Sequence, residues 1–130
     1  MGNPAAKQGD KIIGMDTHIV MVSSPGGPVP TPTPMPFVGT ISGALSSTIV
    51  IDDKPAATKG STADNSPTHT PTGGQFQQEP SNKAKVDEGS STVFLDDKPA
   101  ARMGDPAMTC NDPADAPLGS VIASSTVFIG

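Results

Sequence analysis

The side chains with the greatest capacity for chemistry in this 130-residue chain are two histidines and one cysteine: His18, His69 and Cys110. Imidazole and thiolate are the donors that Zn²⁺ prefers in proteins, and structural zinc sites hold the ion in a tetrahedron of nitrogen and sulfur ligands. Fe²⁺ and Cu⁺ accept overlapping donor sets, so the residue types favour zinc but leave those ions open. The sequence therefore predicts a single metal site shared by all three side chains.

The positions of these residues follow one pattern. Each of them comes a short distance after a Pro-Ala-Ala segment and the glycine that ends it. The offsets from that glycine are nine, nine and six residues: His18 after Gly9, His69 after Gly60, and Cys110 after Gly104. Isolated histidines and cysteines are ordinary in a chain of this length, so it is the matched placement that indicates a shared site.

The segment behind this pattern is written twice in full and once in two halves. Ser46–Gly60 reads SSTIVIDDKPAATKG and Ser90–Gly104 reads SSTVFLDDKPAARMG, and ten of the fifteen aligned positions are identical. Pro4–Asp10 supplies the second half of a third copy, and Ser124–Ile129 supplies its first half. Internal repeats indicate equivalent structural units. We therefore expect three units around a pseudo-threefold axis, with adjacent chain ends and converging donor loops.

The sequence leaves the fourth donor open. Met35, Asp112, Asp16 and a water molecule are candidates, and a thioether is a poor Zn²⁺ ligand compared with imidazole. An open coordination position would also suit a catalytic metal, so a small metal-dependent enzyme is an alternative. We expect no enzyme and no catalytic residues, because the sequence contains no nucleophile–base pair, phosphate-binding loop or HExxH motif.

The elements that must position these donors are predicted to be short β-strands, because no segment has a helical period and the apolar runs are rich in β-branched residues. The twin aspartates Asp52–Asp53 and Asp96–Asp97 follow such runs. They are predicted to form hairpin turns rather than catalytic pairs, since aspartate tolerates the left-handed conformation. The fold class is therefore mainly β. The predicted strands are Ile12–Ile13, Thr17–Val22, Thr48–Ile51 and Val121–Ile129.

The segment Ser24–Phe37 has a proline at every second position from residue 28 to residue 36. Proline cannot donate a hydrogen bond to a strand ladder, so the pattern predicts an extended polyproline-type path. This path would be either a stiff surface connector or a strut that carries Met35 towards the metal site. Ser61–Lys85 and Ala107–Leu118 are predicted to be irregular loops.

Composition excludes several classes of protein. The net charge is −5 and the basic residues form no cluster, so no nucleic-acid interface is predicted. One cysteine cannot form an internal disulfide, and no apolar run reaches the roughly 18 residues of a membrane helix. Only 34% of residues are hydrophobic, so a stable fold would need help from a metal, a partner or tight β pairing. Disorder is the alternative, and the long repeat identity argues against it.

The repeats also carry a family resemblance. Pro99–Arg102 reads PAAR, is followed by Gly104-Asp105, and resembles the proline-alanine-alanine-arginine (PAAR) repeat family. Pro55–Thr58 and Pro4–Lys7 are similar copies with threonine and lysine in place of the arginine. The resemblance covers essentially the whole chain, which is expected to form one domain over residues 1–130.

This resemblance implies a small cone-shaped β fold of three pseudo-threefold repeats. Such a protein caps and sharpens the homotrimeric, VgrG-like β-helical spike of a contractile injection system and helps it puncture the target membrane. The resemblance also implies a structural metal near the vertex, and His18, His69 and Cys110 match the family's ligand loops. The implied partners are the spike, effector cargo and, transiently, the target membrane.

Two segments are more similar to extracellular phage-tail-like particles than to type VI secretion tips: Thr31–Phe37 (TPTPMPF) and Cys110–Asp115 (CNDPAD). In relatives of that kind a histidine is expected where Met35 stands. The implied location is synthesis in the bacterial cytoplasm, without a signal peptide, followed by delivery outside the cell on the particle. A type VI tip is one alternative. A cargo adaptor that uses the loops Ser61–Lys85 and Pro25–Pro36 is another.

Overall fold

The computed structural model describes residues 2–130, and in that range the chain consists of β-strands joined by turns and loops, with no helix. The predicted mainly β fold class is confirmed. Over the same range, nothing helical has the length and hydrophobicity needed to cross a membrane. The strands are β1 (Asn3–Pro4), β2 (Lys11–Val22), β3 (Val29–Gly43), β4 (Val50–Ile51), β5 (Lys54–Pro55), β6 (Thr62–Asn65), β7 (Gly74–Phe76), β8 (Lys83–Val86), β9 (Phe94–Leu95), β10 (Lys98–Pro99), β11 (Pro106–Thr109), β12 (Ala116–Ile122) and β13 (Phe128–Ile129).

Three antiparallel strand pairs correspond to the three sequence repeats: the hairpins β4–β5 and β9–β10, and the pair β13–β1, which has no connecting turn and which we call the third hairpin. We refer to them together as the hairpin layer. In each hairpin an apolar residue pairs with the proline of the Pro-Ala-Ala segment: Val50 with Pro55, Phe94 with Pro99, and Phe128 with Pro4. The two half-repeats therefore come together as a third hairpin, as the split repeat predicted.

The twin aspartates form the turns of the two continuous hairpins. Asp52 and Asp53 have φ angles of 48° and 69°, and Asp96 and Asp97 have φ angles of 54° and 65°. A two-residue hairpin loop with positive φ at both positions matches the right-handed twist of its strands, and aspartate is one of the few residues that tolerates it. The prediction of turns rather than acid–base pairs agrees with this conformation.

The alanines that follow the prolines join the three units around an axis. The amide of Ala6 donates to the carbonyl of Ala101 (2.9 Å), the amide of Ala101 to Ala57 (3.1 Å), and the amide of Ala57 to Ala6 (3.0 Å). These bonds form a closed ring, and all three residues are fully buried. Only a small side chain suits a position where three backbones approach one another this closely. The ring is direct evidence for the predicted pseudo-threefold arrangement.

The remaining strands form a larger sheet that closes on itself. Its strand order is β12-β11-β8-β6-β3-β2-β7, and β12 also pairs with β2. Six of these strands therefore form a closed ring to which each unit contributes two. Closure removes free edges within this ring, whereas β7 and residues 29–38 of β3 extend beyond it. The enclosed core includes Ile12, Phe37, Ile41, Val86 and Val121, all at most 1% exposed.

The proline-rich segment is a strand and not a polyproline connector, so that prediction was wrong. Residues 29–40 of β3 pair continuously with β2, from Val29 opposite Val22 to Thr40 opposite Lys11. A strand sends alternate amides to opposite sides. Prolines at positions 30, 32, 34 and 36 all fall on one parity, so the odd-numbered residues remain able to donate to β2. The missing donors then face away from β2, and this blunts the outer edge of the strand.

Other strand boundaries also differ from the predictions. Ile12–Ile13 and Thr17–Val22 belong to one continuous strand, β2. Between Val121 and Ile129, strand β12 ends at Ile122 and β13 contains only two residues, because residues 123–127 turn into the third hairpin instead of continuing the sheet.

The two segments predicted to be irregular loops contain strands of the closed sheet. Ser61–Lys85 contains β6, β7 and part of β8, and Ala107–Leu118 contains parts of β11 and β12. These strands are short and polar on their outer side, for example at Asp64 and Lys83. Apolar alternation was therefore too weak to indicate them from sequence.

Candidate metal centre

Four buried side chains that could hold a metal ion meet at one place: Asp16, His18, His69 and Cys110. Each offers one ligand atom, and these atoms all lie within 4.8 Å of one another. The structure thus brings together the three residues predicted from sequence. It also selects Asp16 from the candidates for a fourth donor. We refer to these four residues as the donor cluster.

Two of the distances within the donor cluster are close to those around a tetrahedral ion. The sulfur of Cys110 lies 3.6 Å from Nε2 of His18 and 3.3 Å from Oδ2 of Asp16. With Zn–S near 2.3 Å and Zn–N or Zn–O near 2.0 Å, tetrahedral geometry separates donors by roughly 3.3–3.6 Å. The Nε2 atom of His69 is nearer, 2.8 Å from Oδ2 of Asp16, because these two atoms share a hydrogen bond. A cation between them would replace that proton.

Strand β2 supplies two donors because of its pleat. Side chains two residues apart on a strand share a face, so Asp16 and His18 point the same way as the core residue Ile12. His69 lies in the loop after β6, and Cys110 comes directly after β11. The second and third units therefore supply one donor each. Asp16 could have been ranked higher from sequence, because it lies two residues from His18 within a β-branched run.

The residues after Cys110 clamp β2 on both sides of His18. Oδ1 of Asn111 accepts the amide of Thr17 (2.7 Å), and Oδ2 of Asp112 accepts the amide of Ile19 (2.8 Å). The amide of Asp112 donates in turn to the carbonyl of Thr17 (2.9 Å). Hydrogen bonds of this kind fix the orientation of a ligand between them.

Asp112 was a candidate fourth ligand, and the structure places it outside the donor cluster. Its Oδ1 atom lies 3.6 Å from Nδ1 of His18, on the side of the imidazole away from Cys110. At this distance the two atoms make no hydrogen bond, although a carboxylate behind a metal-bound histidine is a common arrangement.

Met35, another candidate, lies opposite Asp16 in the β2–β3 register and is 7% exposed. It lines a cavity of about 260 Å³ together with His69, so the proline-rich strand does bring residue 35 to the neighbourhood of the site. Its thioether is not required to complete a set of four donors, because Asp16 already provides the fourth.

The electrostatics of the cluster favour a cation. Burial, and then the charge of Asp16, raise the pKa of the Cys110 thiol to about 11, so the metal-free thiol stays protonated at neutral pH. Asp16 is fully buried, and among residues 2–130 its Oδ1 atom has no hydrogen-bond partner. Burying such groups without compensation is costly. A thiolate and a carboxylate would balance the charge of one divalent ion, so these residues fit the predicted structural metal.

The sequence matches a known protein family. The sequence model of the family described as PAAR motif matches residues 19–112, which is well over half of the chain. The matched region includes His69 and Cys110, and it begins one residue after His18. No curated protein matches the chain at a significant level.

Proposed function

The chain belongs to the PAAR family. The PAAR motif indicates a protein related to the spike tips of contractile injection or type VI secretion systems. From this premise we propose that the protein caps and sharpens the blunt end of a homotrimeric, VgrG-like spike, with a structural metal ion stabilising the tip. The protein would act mechanically and not as an enzyme. Bound zinc would cross-link strand β2 to the segments that carry His69 and Cys110, and such cross-linking contributes folding free energy in small metal-binding domains.

One observation carries the docking part of the proposal. Val50, Phe94 and Phe128 occupy equivalent positions in the three hairpins, and they are 62%, 57% and 62% exposed. Exposed aromatic and aliphatic side chains are unfavourable in water and typical of binding surfaces. A single chain that repeats the same apolar contact three times is suited to a partner with threefold symmetry.

Polar contacts keep these three positions in register. Oδ2 of Asp96 accepts the hydroxyl of Ser46 at 2.5 Å, and Oδ1 of Asp52 accepts the hydroxyl of Thr126 at 2.5 Å. The turn of one hairpin is thus held by the start of another. At the third junction the hydroxyl of Ser90 donates to the main-chain oxygen of Gly130 (2.6 Å). The hairpin layer is therefore cross-linked before any partner binds.

The test is binding to a purified VgrG-like trimer, measured by calorimetry. The triple variant V50S/F94S/F128S is compared with I13S/M15S/L118S, which removes three apolar side chains of similar exposure from the closed sheet. We expect the hairpin-layer variant to weaken binding roughly 100-fold or more, because central apolar contacts commonly contribute more than 1 kcal/mol each. Equal loss in both variants, or loss in neither, would contradict the docking proposal.

We further propose that the protein belongs to an extracellular phage-tail-like particle, is made in the cytoplasm and is carried out on the particle. The support is the similarity of the TPTPMPF and CNDPAD segments to such particles. Reconstitution distinguishes the two systems: the tip should assemble on the spike of a phage-tail-like particle more tightly than on a type VI spike. The reverse preference would favour the type VI alternative.

A second candidate function is that of a cargo adaptor. Ile13, Met15, Val38 and Leu118 are 43–54% exposed on neighbouring strands of the closed sheet. The position equivalent to Ile13 in the second unit is Asp64, which pairs with Lys83 instead. This exposed apolar surface is not repeated in the second unit, so it would suit a partner that lacks threefold symmetry. An effector that binds the wild type and V50S/F94S/F128S, but not I13S/M15S/L118S, would support an adaptor role.

A further inference from the structure

A single asparagine outside the donor cluster holds one of the candidate ligands, His69. Asn82 lies immediately before β8 and has a left-handed backbone, with φ of 57°. We infer that Asn82 is a positioning residue for the metal centre, and that its side-chain oxygen holds His69 in the position from which it can bind the ion. This inference rests on the proposed metal centre.

The side chain of Asn82 holds the loop that carries His69. Its Oδ1 atom accepts the main-chain amide of His69 at 2.8 Å and the Nδ2 group of Asn65 at 3.1 Å. The same Nδ2 group faces Nδ1 of His69 at 3.3 Å. One oxygen of Asn82 therefore fixes both the backbone of His69 and the amide group of Asn65.

The orientation of Asn65 is itself determined by two further bonds. Its Oδ1 atom accepts the amide of Val38 (2.9 Å), and its own main-chain amide donates to the carbonyl of Asn82 (2.8 Å). Because Oδ1 is occupied, the Nδ2 group must point towards His69 and Asn82. Asn65 is 5% exposed, so water offers little competition for these contacts.

The residue type at position 82 follows from two requirements, a left-handed backbone and a side-chain oxygen that accepts the amide of His69. A left-handed φ is costly for most side chains, but asparagine, aspartate and glycine adopt it readily. Glycine at this position would keep the backbone and remove the accepting oxygen. Aspartate would keep both the backbone and an accepting oxygen. These two substitutions therefore separate the side-chain contribution from the conformational one.

The test is Co²⁺ binding to the full chain, followed by visible absorption, for the wild type, N82G and N82D. D97G serves as the matched control, because Asp97 also has a left-handed φ (65°) but lies in the β9–β10 turn. Loss of a residue that orients metal ligands commonly weakens affinity about 10–100-fold, and we expect this for N82G. We expect N82D and D97G to bind within a few-fold of the wild type.

The spectrum supplies a readout that general destabilisation would not change. Misplacement of His69 should lower the intensity of the tetrahedral d–d bands in N82G, while the sulfur-to-metal charge-transfer band of Cys110 remains. An unchanged affinity and spectrum in N82G would overturn the inference and leave the metal centre standing. Absence of Co²⁺ binding by the wild type would overturn both together.

If N82G is insoluble, N82S is tested beside D97S: both place serine at a left-handed φ, but only N82S also shortens the side chain that accepts the amide of His69. Weakened binding in N82S, restored in N82D, would support the inference. Binding equal to that of the wild type would overturn it.

Discussion

The hairpin layer and the donor cluster treat the same threefold repeat in opposite ways. In the hairpin layer the three units keep nearly the same sequence, the same register and equivalent exposed residues. In the donor cluster they diverge: the first unit supplies Asp16 and His18, the second supplies His69, and the third supplies Cys110. The repeat is conserved in structure where it can meet a symmetric partner. It varies where four different atoms must surround one ion.

This contrast predicts that the largest loss of stability comes from the donor cluster. H69A and C110S should each lose the bound ion and lower Tm more than any other single change described below, because metal binding supplies of order 10 kcal/mol in small zinc domains. Chelation should lower the Tm of the wild type to a similar extent. Elemental analysis and calorimetric melting measure both effects, with D97G as the control. Full metal content in either variant would contradict the assignment of that residue as a ligand.

The axis of the hairpin layer should be the next most sensitive place. A57L inserts a larger side chain into the hydrogen-bonded ring of Ala6, Ala57 and Ala101, all of which are fully buried. Overpacking typically costs about 1–3 kcal/mol, and Tm should fall by several degrees while metal content stays stoichiometric. A114L, in the exposed part of the CNDPAD loop, is the control and should leave Tm nearly unchanged. A ring that tolerates leucine would not be a tightly packed axis.

The equivalence of the hairpins can be tested by making the same change twice. D53V and D97V place a β-branched residue at φ angles of 69° and 65°. Left-handed backbone costs such residues about 1–2 kcal/mol, so urea denaturation should show two losses of nearly equal size. Clearly unequal losses would show that the two hairpins are not equivalent units.

The smallest effect concerns the carboxylate of Asp52. The hydroxyl and then the amide of Thr126 lower its pKa below 3.8. A lowered pKa stabilises the fold above the unfolded value, and this stabilisation disappears as the pH falls through the folded value. T126V should therefore raise the pKa of Asp52 in an NMR titration, without restoring 3.8, because the amide remains. The pKa of Asp96 should not change in the same variant, because Asp96 accepts hydrogen bonds from Ser46 and Thr48 instead.

The sequence was sufficient wherever the repeat itself carried the information. The third hairpin, the aspartate turns and the convergence of His18, His69 and Cys110 all followed from aligning the copies. Asp16 was only one of several candidates, because its role depends on the pleat of β2 and not on the repeat. The proline-rich strand was missed because its composition argues against a ladder. Its pairing depends on the parity of the prolines relative to a partner, which becomes visible only when β2 lies beside it.

The β13–β1 hairpin has a consequence for how the protein is made. Its two strands pair Asn3 with Ile129, so one strand is synthesised long before its partner. Contacts so distant in sequence form slowly and late. Until residues 128 and 129 have been synthesised, one third of the layer is open and its alanine ring lacks a stable neighbour. The progress of translation thus sets the earliest time at which the hairpin layer can be completed. It also sets the earliest time at which that layer could bind a partner.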